Sequence, residues 1–253
     1  MIRFSTSLLE DMLIRVPTLG GLGCVCPLKR LMARAGKLGL RRVAVVATTE
    51  PDSGWGNRWA VSRLTALVAA VEQLRAAHPL AVELGIEAAF ADEHGRLDMP
   101  AAALGIDSIY TSDHLFPLNG VCYTPAELRV LIARHEVTEP QLVDALLDAL
   151  CNAMVCHRNL VMAPPFALLA RVGIAESLIS AEQLGRLVHV ALHTGATLVI
   201  SEDARAPTQR TISRFSSAGV PVLVGSGTHD SSRVGRYRYC RDVVKQISAD
   251  ERQ

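Results

Sequence analysis

The feature of this sequence that most constrains its fold is the alternation of short apolar, β-branched runs with longer amphipathic segments. The apolar runs are continuous, which is typical of parallel strands that are buried on both faces. Seven strands that alternate with helices predict an α/β fold with a parallel sheet. The predicted strands are Ile2–Thr6, Val43–Thr48, Ala81–Ala89, Ser108–Thr111, Leu160–Ala163, Thr197–Ser201 and Pro221–Ser226.

The segments between these strands carry helix start and stop signals. Thr124-Pro-Ala-Glu127, Thr138-Glu-Pro-Gln141 and Ser180-Ala-Glu-Gln183 each fit a capping box. Further helices are predicted over residues 27–39, 58–77, 208–218 and 239–249. The pattern predicts one domain over residues 1–253, a distorted (β/α)7 TIM-like barrel. An open doubly wound sheet is the alternative, but no glycine-rich phosphate-binding pattern follows any predicted strand.

Composition narrows the classes of function. Lys and Arg number 26 and Asp and Glu 25, so the net charge is +1, which argues against nucleic acid or an anionic membrane as a partner. Hydrophobic residues make up 49%, which excludes disorder. There is no uncharged apolar run of ~18 residues and no signal-peptide core, so we expect a cytoplasmic protein. Its expected partner is a small molecule, and a homo- or hetero-oligomer remains open.

Polar residues follow several of the predicted strands. In barrels of this kind, chemistry is carried by the loops at the carboxyl ends of the strands. Glu87 stands out because its neighbours Gly85-Ile86 and Ala88-Ala89-Phe90 are apolar, and a buried carboxylate needs a partner or a metal. Glu87, His114 and His229 are all expected to point toward one mouth of the barrel.

Three motifs occur in a characteristic order: Gly85-Ile-Glu87, Asp107-Ser-Ile-Tyr-Thr-Ser-Asp-His114 and Gly219-Val-Pro-Val-Leu-Val-Gly-Ser-Gly-Thr-His229. In this order they resemble the polymerase and histidinol phosphatase (PHP) superfamily, and the resemblance extends from Met1 to about Tyr237. That family is a distorted (β/α)7 barrel of metal-dependent phosphoesterases with up to three metal ions. The resemblance implies this fold and an ancestral phosphoester hydrolysis.

The sequence departs from the family at most of its metal-ligand positions. The positions that keep a ligand residue are Glu87, His114 and His229. A hydroxyl, a proline or a glycine cannot replace an imidazole or a carboxylate as a ligand at neutral pH, so a trinuclear cluster is not expected. Such residues stand at the other matching positions, namely Ser5, Ser7, Thr48, Thr49, Pro164 and Gly227.

Three interpretations stay open. Glu87, His114 and His229 could hold one zinc, iron or manganese ion. A metal-free site could instead use these side chains for proton transfer, with Asp113 orienting His114 or acting as an acid. Both describe an enzyme that acts on a small anionic molecule. In the third, the barrel is catalytically inactive and binds a ligand or a partner subunit.

Other residues are candidates for substrate binding. Trp55 lies in the loop 51–59, which could form a lid or pack against the following helix. Arg205 could hold a phosphate or a carboxylate, or form an ion pair with Glu202 or Asp203. The predicted pocket lining is completed by three hydroxyl residues, Ser5, Ser7 and Thr49.

Overall fold

The computed structural model describes residues 8–17, 25–48, 61–99, 105–111 and 114–250. Its strands are β1 (Glu10–Pro17), β2 (Arg42–Thr48), β3 (Ala81–Ala88), β4 (Ser108–Thr111), β5 (Phe116–Leu118), β6 (Val121–Tyr123), β7 (Val161–Met162), β8 (Thr197–Ser201) and β9 (Val222–Gly225). Its α-helices are α1 (Val25–Lys37), α2 (Val61–Ala77), α3 (Pro125–Ala133), α4 (Glu139–Cys156), α5 (Ala167–Arg171), α6 (Ala181–Thr194), α7 (Gln209–Ser217) and α8 (Tyr239–Asp250). Two short 3-10 helices cover Glu176–Leu178 and Ser231–Arg233.

Seven parallel strands form one sheet in the order β1-β2-β3-β4-β7-β8-β9. The two edges of this sheet meet, because the Gly227 N–H donates to the Leu13 carbonyl at 2.8 Å and the Arg15 N–H donates to the Thr228 carbonyl at 3.0 Å. The sheet is therefore a nearly closed barrel surrounded by helices, and the predicted (β/α)7 fold is confirmed. Among the described residues, no helix is both long and apolar enough to cross a membrane.

Local signals place the helices as predicted. The three capping boxes at Thr124, Thr138 and Ser180 are formed, each with its threonine or serine side chain accepting from the third helical N–H. Gly195 ends α6 in the left-handed conformation with φ 73°. These signals work because they satisfy backbone groups that the helix leaves unpaired at its ends.

The first strand differs from the prediction. The predicted strand Ile2–Thr6 lies outside the described residues, and the strand that pairs with β2 is β1. Charged residues at Glu10, Asp11 and Arg15 interrupt the apolar run of β1, so its sequence is not typical of a buried strand. The pairing of β1 with β2 shifts by one residue between Asp11 and Ile14.

The barrel interior is built in layers. On the outer face of the sheet, alternate residues such as Ile14, Val45 and Ile86 pack against α1 and α2. The interior positions therefore include Arg42 and Glu83 near the amino ends of the strands, and Arg15 and Glu87 near the carboxyl ends. An apolar layer separates these two ends, formed by Met12, Leu13, Ala44, Val46, Tyr110, Val161, Ala163, Val199 and Leu223.

Candidate functional site

A buried ion pair lies at the floor of the mouth, where the strands have their carboxyl ends. The Arg15 guanidinium donates from Nε to Glu87 Oε2 and from Nη2 to Glu87 Oε1, both at 2.8 Å. The Arg15 side chain is 7% exposed and the Glu87 side chain 0%. This two-bond geometry matches a guanidinium to a carboxylate and fixes the orientation of both groups.

Neighbouring strands bring the two groups together. Arg15 lies beside Val46 on β2, and Glu87 lies beside Thr48 on the other side of β2. Because β2 separates β1 from β3, the Arg15 side chain passes over the inner face of β2 to reach Glu87. Two hydroxyl residues near this pair, Thr48 and Ser201, are also buried.

The segment after β9 forms another wall of the mouth. Arg15 Nη1 donates to the Gly227 carbonyl at 3.3 Å. Gly227 has φ +67°, and a Cβ atom there would lie 2.5 Å from Ser201 Oγ and 3.2 Å from Asp203 Cβ. A side chain at position 227 would therefore strain the backbone and require Ser201 Oγ to move, which explains the glycine there.

His229 lies at the exposed rim of this wall. The pKa of its imidazole is below the usual value, first because partial desolvation disfavours the charged ring and second because the Arg15 guanidinium repels it. The charges of Glu87 and Asp203 act in the opposite direction, and that of His114 lowers the pKa further. His229 is therefore neutral at pH 7 and able to accept a proton, and it lies within electrostatic reach of Arg15, Glu87 and His114.

Two acidic residues after β8 form hydrogen bonds that connect the segments around the mouth. The Glu202 carboxylate accepts from the Tyr239 N–H at 3.1 Å and the Cys240 N–H at 3.0 Å, at the start of α8. These bonds hold the pKa of Glu202 below its usual value despite partial burial. Asp203 accepts from Arg233 Nη2 at 2.8 Å and so links the loop after β8 to the loop after β9.

His229 lies within electrostatic reach of two other predicted site residues, Glu87 and His114. Arg205 is exposed on the loop after β8, where Glu202 and Asp203 bind α8 and Arg233. The remaining predicted residues lie outside the described part of the chain: Ser5, Ser7, Thr49, Trp55 and Asp113.

The described donor groups at the mouth do not fit a metal ion. Both oxygens of Glu87 accept from Arg15, so a cation already lies against the carboxylate that would bind the metal. In the described part of the chain, no group of three or more His, Cys, Asp or Glu side chains could hold a metal ion. The predicted metal set of Glu87, His114 and His229 is therefore not formed among these residues.

Comparison with solved structures supports the fold. A histidinol phosphate phosphatase from Lactococcus lactis, solved with zinc, L-histidinol and phosphate, is similar to this chain with a TM-score of 0.59 at 10% sequence identity. The similarity covers 94% of this chain and 93% of the phosphatase, and at this identity it shows the shared barrel alone.

Two dihydropteroate synthases, from Xanthomonas albilineans and Yersinia pestis, match with TM-scores of 0.40 and 0.39 at 13% identity. They cover 96% and 95% of this chain and 91% and 94% of their own, but this similarity is too low to support a functional argument. No protein-family model and no curated protein matches the sequence.

The residue that sequence reasoning missed is Arg15. The apolar setting of Glu87 predicts that its carboxylate needs a partner, and Arg15 is that partner. The signal that could have found it is the single arginine in Leu13-Ile-Arg-Val16, where a cation interrupts an otherwise apolar run.

Proposed function

We propose that this chain is a divergent member of the PHP superfamily, an enzyme that acts on a small anionic molecule at the mouth of its barrel without a metal ion. The observation that carries the proposal is the Arg15–Glu87 pair, which lies where the resemblance implies a metal-binding carboxylate. A guanidinium fixed at this place supplies a permanent positive charge without a metal ligand set.

The Arg15–Glu87 pair supports a role in binding and charge stabilisation. A buried ion pair is weak support for stability, because desolvation of both charges offsets their attraction. Its position beneath the rim histidines instead suits an oxyanion, whose negative charge would be stabilised by a cation held in a fixed orientation. The substrate class that fits is a small molecule with a phosphate or carboxylate group.

His229 is suited to proton transfer. Its lowered pKa keeps the ring neutral at pH 7, and its exposed position lets it reach a water molecule or a substrate. In hydrolysis of a phosphoester, water would attack phosphorus while the bond to the leaving oxygen breaks. The proton that His229 accepts from the water would then pass to the leaving oxygen. His114 would assist at the same rim.

A panel of phosphate monoesters tests this proposal. We expect turnover that is unchanged by a metal chelator, and a fall in kcat of about 100-fold in His229→Gln, the usual magnitude for loss of a general base. Arg15→Lys keeps the charge but loses the two-bond geometry, so we expect a fall in kcat/KM. The matched control is Arg42→Lys, because Arg42 contacts Glu83 at the opposite end of the barrel interior. Turnover that depends on added zinc or manganese would contradict the metal-free site.

A second candidate is a catalytically inactive barrel that binds a small anion or a partner subunit. The observation that favours it is that both Glu87 oxygens accept from Arg15, so this carboxylate is not available to act as a base. In that case inorganic phosphate would shift the His229 resonances in an NMR titration, while no monoester in the panel would be hydrolysed.

A further inference from the structure

One buried carboxylate holds both ends of the segment that carries His229. The side chain of Asp11 on β1 is fully buried. Its Oδ1 accepts from the Ser226 N–H at 2.8 Å, and its Oδ2 accepts from the Gly235 N–H at 3.0 Å. Ser226 and Gly235 are the ends of the segment 226–235, which includes Gly227, His229 and Arg233.

Further hydrogen bonds fix the conformation of the middle of this segment. The Asp230 side chain accepts from the Ser232 N–H at 2.8 Å, which starts the 3-10 helix Ser231–Arg233. The Thr228 carbonyl accepts from the Arg15 N–H at 3.0 Å. The segment therefore has an ordered interior, and Asp11 determines how its two ends are anchored to β1.

The surroundings of Asp11 make its hydrogen bonds sensitive to protonation. Burial raises the pKa of Asp11 to about 6, while the bonds from Ser226 and Gly235 favour the charged form. The titratable groups that face it are Tyr237 before α8, Cys240 on α8 and Tyr110 on β4. Burial raises the pKa of each of these three, so all are neutral at pH 7 and Asp11 changes charge among neutral neighbours.

We propose that the Asp11 carboxylate is a clamp that fixes both ends of the segment 226–235, which carries His229, and that protonation of this carboxylate loosens the clamp. A carboxylate accepts on both oxygens, whereas a protonated carboxyl group carries a hydrogen on one of them and accepts more weakly. Mild acid would therefore shift His229 and Arg233 relative to Arg15. Only the consequence for activity rests on the proposed function, because the clamp itself is measured on backbone amides.

Amide hydrogen exchange between pH 5 and 7.5 tests the clamp, with rates converted to protection factors to remove the intrinsic effect of pH. We expect protection of the Ser226 and Gly235 amides to fall about tenfold toward pH 5, as for loss of one charge-assisted hydrogen bond. Asp92 gives an internal control, because it accepts from the His94 and Arg96 N–H groups and its pKa is lowered. Protection of these two amides should stay constant.

The variant Asp11→Asn provides the second measurement, with Asp92→Asn as the matched control. An asparagine accepts on one atom only, so protection of the Ser226 or Gly235 amide should be reduced at every pH and no longer vary with pH. Release of the segment should also move the imidazole pKa of His229, measured by NMR, toward its usual value of ~6.5. A purely structural role for Asp11 would not alter this titration.

Two results would overturn the clamp. One is constant protection of the Ser226 and Gly235 amides in the unmodified chain from pH 5 to 7.5, which needs no variant to fold. The other is an identical His229 titration in Asp11→Asn and in the unmodified chain. Neither readout depends on catalysis, so the clamp can fail while the proposed function stands, and the reverse also holds.

Discussion

The barrel interior holds two arginine–glutamate pairs of the same chemistry at its two ends. Arg15 binds Glu87 at the carboxyl end, with side chains 7% and 0% exposed. Arg42 binds Glu83 at the amino end, with side chains 35% and 25% exposed. Both groups of the second pair remain in contact with water. Each group of the first pair is almost fully removed from water and interacts mainly with its partner. The degree of burial, and not the type of ion pair, therefore distinguishes the candidate site from the partly solvated pair at the other end.

The largest expected effect tests this difference directly. Arg15→Ala leaves the Glu87 charge buried without its guanidinium, so we expect the free energy of unfolding to fall by about 3–5 kcal/mol. Arg42→Ala removes the partly solvated pair and should cost at most about 1 kcal/mol. Urea denaturation of both variants measures the contrast. Equal losses would break the comparison, because they would mean that burial does not distinguish the two ends.

The next prediction concerns Asp11. Like Glu87 it is a buried carboxylate, but it accepts from backbone N–H groups, whereas Glu87 accepts from a guanidinium. Burial raises its pKa from 3.8 to about 6, so between these pH values the folded state binds the proton more tightly than the unfolded chain. Stability against global unfolding should therefore increase as pH falls from 6 toward 4, by about 3 kcal/mol from this group alone. The two local hydrogen bonds weaken over the same range, because loosening of the segment leaves Asp11 buried whereas unfolding exposes it to water. The difference in stability between the unmodified chain and Asp11→Asn, followed from pH 7 to 4, isolates this contribution. A difference that does not vary with pH would contradict the raised pKa.

Most of the barrel could be predicted from sequence, and the site only in part. The strand Thr197–Ser201 was predicted with its observed bounds, because its buried centre, Leu198 to Ile200, is a continuous apolar run. The hairpin of β5 and β6 was not predicted, because strands of three residues are too short to show a period. Its Asn119-Gly120 turn, with φ of 51° and 77°, was the signal available.

The contribution of β1 to the site was not predicted either, because the sequence of this strand lacks the usual pattern. β1 carries the buried charged residues Asp11 and Arg15, and these charges interrupt the apolar pattern that identifies a buried strand. Their partners are distant in sequence: Arg15 binds Glu87, and Asp11 binds Ser226 and Gly235. Local sequence patterns indicate which residues are buried. They do not indicate which distant residues become partners, because that depends on how the sheet closes.

A smaller effect is expected from crowding at the mouth. Gly227→Ala places a Cβ 2.5 Å from Ser201 Oγ in a backbone conformation with φ +67°. Gly120→Ala meets no atom within 4 Å at φ +77°, so it measures the cost of the left-handed conformation alone, about 1 kcal/mol. We expect Gly227→Ala to cost about 2–3 kcal/mol by thermal denaturation, the excess reflecting the collision. Equal costs would show that Ser201 moves aside easily and that the mouth is not tightly packed.

The smallest expected change in stability comes from replacing both members of the buried pair. Arg15→Met combined with Glu87→Leu removes two desolvated charges and fills their space with apolar groups, so stability should stay within about 1–2 kcal/mol of the original or increase. Phosphate binding and any turnover should nevertheless be lost, because the fixed guanidinium at the floor of the mouth is gone. The same double change at the amino end, Arg42→Met with Glu83→Leu, should leave both properties unchanged. If phosphate binding survived in the first double variant, the pair would be a structural filler of the barrel and its burial would have no bearing on function.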